Sequence, residues 1–104
     1  MARPVTLTTT DASGGATTSN FFRCDTFVSP FSVGAVVDIT GTVNFDLEFT
    51  NDDPDSASAL WNNHADFTAK TADTAGVITT PCRAIRMVQN SGSGSCRAVL
   101  IQAG

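Results

Sequence analysis

The chain has 104 residues, 41% of them hydrophobic and only 15% charged, with a formal net charge of −4. That length and composition fit one domain around one core, residues 1–104, and a globular chain, not a disordered or membrane one. The acidic balance argues against the basic face of a nucleic-acid binder, and no run approaches the roughly 20 apolar residues of a membrane helix.

The charged fraction lies well below the about 25% of an ordinary domain. Thr, Ser and Asn supply the missing polarity, and weak mutual repulsion suits a protein that lives packed against others. Met1-Ala2-Arg3-Pro4 lacks the apolar stretch of a signal peptide, so synthesis in a cytoplasm is expected.

In chain order, Val5–Thr10 alternates apolar residues with Thr and reads as a short strand with Val5 and Leu7 inward. Residues 10–20, rich in Gly, Ser, Thr and Ala around Gly14-Gly15, read as a flexible loop or arm with an extended reach of about 30 Å. Phe21–Val28 is an aromatic, β-prone run stopped by Pro30. Phe31–Thr40 is a second run, with Val33, Val36, Val37 and Ile39 as core candidates and Gly34 marking a bulge or bend.

Val43, Phe45, Leu47 and Phe49 alternate strictly with polar residues, the period of a strand with one buried and one wet face. Asn51-Asp52-Asp53-Pro54-Asp55 is a turn, because Asx side chains bond their own backbone and proline presets φ. Ser56–Phe67 holds the only Trp and the only His, and its pattern fits a strand or a short helical turn equally. Thr68–Thr80 is a polar connection with a short β segment at Val77-Ile78. Thr80–Gly104 reads as a closing β-hairpin, with arms Cys82–Val88 and Cys96–Gln102 around the turn Asn90–Ser95.

No segment keeps a helical period beyond two turns. Short strands separated by regular turn signals predict an all-β fold, a small antiparallel β-sandwich or jelly-roll-like barrel of six to eight strands.

Little in this sequence points to catalysis, and no enzyme activity, cofactor or metal site is expected. His64 with Asp66 is the one base and carboxylate pair, but no strained nucleophile elbow accompanies it. Cys24, His64, Cys82 and Cys96 lack the close spacing of a structural zinc site. The acidic turn at Asp52–Asp55 lacks the order of a calcium loop. Gly92 and Gly94 match only two glycines of a dinucleotide fingerprint, with Arg97 at the third position. In the hairpin register Cys82 and Cys96 are too far apart to bridge; Cys24 is able to meet either, and free thiols are expected of a reducing compartment.

Arg83, Arg86 and Arg97 edge a closing segment that is apolar on both faces. Such a segment is either central in a sandwich or covered by another subunit, so Arg83, Arg86, Arg97, Val99 and Ile101 are candidate assembly contacts.

From Phe45 onward the chain resembles small structural proteins of tailed bacteriophages. An alternating strand is followed by Asp52-Asp53-Pro54, Trp61-Asn62-Asn63-His64, Pro81-Cys82-Arg83-Ala84-Ile85-Arg86 and a closing Ile101-Gln102-Ala103-Gly104. The likeness covers a little over half the chain. It implies a virion protein with a β-sandwich or jelly-roll-like fold on the capsid surface. The implied role is a decoration or cement protein that binds the assembled major capsid protein, as homotrimers. The alternative it leaves open is a tail or head-fibre component that binds a host-surface glycan or anchors a receptor-binding protein. Trp61, Asn63 and His64 are then the candidate glycan contact, since an aromatic face beside amides suits sugar rings.

Overall fold

A computed structural model describes residues 4–10, 16–26 and 30–102. Eight strands run β1 (Val5–Thr10), β2 (Thr17–Arg23), β3 (Val33–Thr40), β4 (Asn44–Thr50), β5 (Asn62–Asn63), β6 (Thr74–Ile78), β7 (Ala84–Ser91) and β8 (Ser95–Gln102), with one 3₁₀ turn at Ala65–Phe67. They form two four-stranded sheets, ordered β1-β8-β3-β6 and β2-β7-β4-β5, and every pairing is antiparallel. First pairs with last, second with seventh, third with sixth and fourth with fifth. That is one long ladder rolled on itself, and the β8–β3 and β7–β4 pairings close each sheet. The fold is therefore an eight-stranded β-sandwich with jelly-roll strand order.

The core between the sheets follows from strand alternation. Leu7, Val33, Ala35, Val37, Ala98 and Leu100 point inward from the first sheet, and Phe22, Phe45, Leu47, Ile85 and Met87 from the second. Val5 and Leu7 face inward as expected, and Val43, Phe45 and Leu47 are buried as the alternation of β4 demands. Val36 is not in the core. It is 49% exposed, because adjacent residues of a strand face opposite ways and Val37 holds the inward place. Gly34 makes no bulge but sits in regular register between Ile101 and Val77. The register shifts fall instead between Thr18 and Phe21 and between Asn44 and Phe45.

Two expectations about the chain ends are corrected. Residues 10–20 are not a loop throughout: Thr10 closes β1 and Thr17–Asn20 begin β2. Residues 11–15 lie outside the described residues, as do 27–28 of the Phe21–Val28 run, residue 29 after it, and 103–104. The closing segment is not a hairpin either, since β7 pairs with β2 and β4 while β8 pairs with β1 and β3.

The chain changes sheet at Gly92–Gly94, and glycine is required there. Gly92 has φ +113°, and a Cβ on it would stand 2.1 Å from the Thr42 carbonyl oxygen; one on Gly94 would stand 2.0 Å from that of Thr40. This corner packs backbone to backbone against the one at Gly41–Val43, where β3 passes into β4, and the Gly94 amide donates to the Thr42 carbonyl at 3.1 Å. Gln89, fully buried, seals the junction. Its amide donates to the Gly94 carbonyl at 3.1 Å, and its oxygen accepts from the Thr9 hydroxyl at 2.8 Å, tying β7 to β1 in the facing sheet.

Candidate functional site

The two sheets treat their outer faces differently. On the β2-β7-β4-β5 sheet the outward residues of β7 are Ala84, Arg86 and Val88. Residues 51–61 fold back over this face at Arg86 and at Thr50 of β4. Asp53 starts that excursion as an Asx turn, accepting from the Asp55 amide at 3.1 Å. Thr50 Oγ1 donates to the Leu60 carbonyl at 2.8 Å, and the Leu60 amide donates to Asp52 at 2.8 Å. Trp61 then lies over the Arg86 guanidinium, 4.2 Å from ring centroid to Cζ, while Arg86 Nε donates to Glu48 at 2.8 Å. Phe21 flanks the same Trp with ring centroids 6.4 Å apart. The polar face expected of β4 is consequently dry in part: Thr50 and Asp46 are both buried, Asp46 accepting from the Ala69 amide and the Asn90 side chain.

The β1-β8-β3-β6 sheet has no such cover among the described residues. Register places Val36 between Val99 and Ala75, and Gly34 between Ile101 and Val77. Val77 and Ile101 are 51% and 44% exposed. Because Gly34 has no side chain, the aliphatics around it enclose a shallow apolar depression of about 450 Å³. Exposed Arg97 stands opposite Asp38 in the next register row. This open strip is apolar and suits contact with another apolar surface.

The candidate assembly residues therefore do not form one patch. Arg97, Val99 and Ile101 lie on this open face. Arg86 is on the other sheet, occupied by Glu48 and Trp61. Arg83 is exposed ahead of β7, its amide donating to the Thr50 carbonyl at 2.8 Å. Val36 and Val77 complete the strip and were not among the expected contacts. Period two through Val33–Val37 was the signal that could have found Val36.

The candidate glycan residues are adjacent but partly engaged. Asn62 and Asn63 are exposed in β5, and Trp61 and His64 are half-buried. One face of Trp61 carries Arg86. His64 caps the 3₁₀ turn, its Nδ1 accepting from the Asp66 amide at 3.2 Å, and its ring packs between Phe49 and Phe67. His64 and Asp66 thus meet through the backbone and not as base and carboxylate. No three His, Cys, Asp or Glu side chains converge among the described residues.

All three cysteines are buried thiols. Burial pushes the Cys96 thiol up, partly offset by a hydrogen bond with Thr9.

No family model matches this chain, and no curated protein matches it.

Proposed function

We propose that this chain is a structural virion protein, a bacteriophage capsid decoration protein that binds the assembled shell of major capsid protein and stabilises it, as homotrimers. The observation that carries the reading is the uncovered aliphatic strip of Val36, Val77, Val99 and Ile101 on one face of a domain whose other face is closed by its own chain. The phage assignment rests on the motif resemblance from Phe45 onward, and the low charged fraction suits a crowded assembly. The jelly-roll order agrees with a fold used in capsids, which is an argument by analogy only.

Magnitudes favour binding to an array over a single partner. Covering each of the half-exposed Val36, Val77 and Ile101 contributes roughly 1 kcal/mol, so the strip supplies about 3 kcal/mol before the costs of association. A Kd near 1 mM corresponds to about −4 kcal/mol. One such contact is weak; several joined in an oligomer on a repeating lattice are strong. A subunit that binds the assembled shell and not its separated parts stabilises the shell by mass action.

The test is to delete the protein from the particles and heat them. The expected result is rupture at a lower temperature, restored by adding the purified chain. Particles that withstand heat and osmotic shock unchanged overturn cementing. Hundreds of copies per virion fit the shell, whereas six or twelve indicate the glycan-binding tail component in its place.

A further inference from the structure

Cys24 and Cys82 are 58 positions apart in sequence, yet their sulfurs lie 3.9 Å apart in the core. The backbone fixes both. The Cys24 amide donates to the Arg83 carbonyl at 2.8 Å, carrying the β2–β7 ladder one residue beyond Arg23, and the Arg83 amide donates to the Thr50 carbonyl at 2.8 Å. The segment bearing Cys82 is thus held to the ends of β2 and β4 together. A disulfide places its sulfurs about 2.05 Å apart, so about 2 Å must close, within the reach of side-chain rotation on a fixed backbone. Cys96 belongs to the facing sheet near the other end of the sandwich, opposite Thr9 and Ile39.

We propose that Cys24 and Cys82 form an oxidation site at which the folded chain closes an intramolecular disulfide, with Cys96 excluded. The oxidant is hydrogen peroxide. The Cys82 thiolate attacks one peroxide oxygen, the O–O bond breaks, and the departing hydroxide takes a proton to become water, leaving Cys82 as a sulfenic acid. The Cys24 sulfur then attacks that of Cys82. An S–S bond forms as the S–O bond breaks, and the leaving hydroxide takes the Cys24 proton. Two thiols and one peroxide give one disulfide and two waters. The hydrogen bond between the sulfurs sets this order. The contact between the two sulfurs holds the Cys82 thiol below its ordinary value despite burial and, aided by burial, pushes Cys24 up.

The bond would close a loop containing β3 to β6 and so restrict the unfolded chain, raising the melting midpoint by roughly 10 °C. This inference does not rest on the capsid reading and holds for any partner.

The experiment exposes the full wild-type chain to hydrogen peroxide, alkylates the remaining thiols and digests with trypsin. Cleavage after Lys and Arg puts the three cysteines on separate peptides, 24–70, 71–83 and 87–97. The expected product is lighter by two hydrogens, keeps one alkylatable thiol, links 24–70 to 71–83, and melts higher until dithiothreitol reverses it. The Cys96→Ser variant gives the same link. A bond to peptide 87–97, or Cys82 oxidised to sulfinic acid with peptide 71–83 unlinked, overturns the proposal. So does a linked product whose midpoint is unchanged or lower, because the native backbone then does not accommodate the bond.

Discussion

β7 and β8 are similar in sequence and opposite in circumstance. Each is one of the two inner strands of its sheet, each alternates aliphatic residues with an arginine, and only Gly92–Gly94 separates them. Outward from β7, Arg86 is held by Glu48 and roofed by Trp61. Outward from β8, Arg97 and Ile101 are exposed and Val99 is partly buried between them. The difference among the described residues is made by 51–61, which reach Arg86, Thr50 and Arg23 on one sheet and leave Val36, Val77 and Ile101 half exposed on the other. On the proposed reading, assembly belongs to the β1-β8-β3-β6 face and the other face is structural.

The comparison breaks most completely at the corner between the two strands. Gly92→Ala forces a Cβ against the Thr42 carbonyl at a backbone angle that L residues rarely adopt. The expected loss is more than about 3 kcal/mol, read as insolubility or an early midpoint in urea unfolding. A stable, soluble variant would show that the two corners are not in contact. Gln89→Leu should cost about 2 kcal/mol in the same measurement, because the Thr9 hydroxyl and two corner carbonyls lose their partner in the core.

Paired arginine substitutions sharpen the comparison. Arg86→Met leaves Glu48 without its partner where the two side chains are only 29% and 17% exposed, and should cost about 1–2 kcal/mol. Arg97→Met, on the open face, should fall within about 0.5 kcal/mol of wild type. Equal losses at both positions would erase the distinction between covered and bare faces.

The smallest effect is one of pH. The Cys96 thiol is raised above the ordinary 9.0 by burial. Above that value the unfolded chain releases this proton while the folded chain retains it, so the contribution is complete below pH 9 and declines as pH rises. Cys96→Ala should flatten part of the alkaline fall in unfolding free energy. An unchanged slope would mean that Cys96 is not protected from solvent.

The sequence made the strands with one clean alternation legible, since a period of two with one buried face leaves few options. Val43–Phe49 and Val5–Leu7 are of this kind, and they suffice for the all-β class. Four features were not legible, each for a physical reason. Glycine and serine at 92–95 announce a reversal of the chain but not its partners, and pairing is a long-range property; a hairpin and a sheet-switching corner share that composition. Thr17–Asn20 has the polar composition of a loop and becomes a strand because β7 supplies its ladder. The dryness of Asp46 and Thr50 depends on a loop that returns from later in the chain. The nearness of Cys24 and Cys82 follows from the β2–β7 register, which no local pattern encodes. Of the expected assembly contacts, Arg97, Val99 and Ile101 share the open face, because alternation along β8 alone dictates it; Arg83 and Arg86 lie elsewhere because β7 belongs to the other sheet.

The central claim is that the open aliphatic face is the assembly surface. Its most direct test is the double substitution Val36→Lys with Val77→Lys, followed by co-sedimentation with deletion particles and by thermal unfolding of the isolated chain. Both positions are about half exposed, so stability should change by less than about 1 kcal/mol. The account predicts a folded chain that no longer pellets with the particles. A folded double variant that still pellets as wild type does would contradict it.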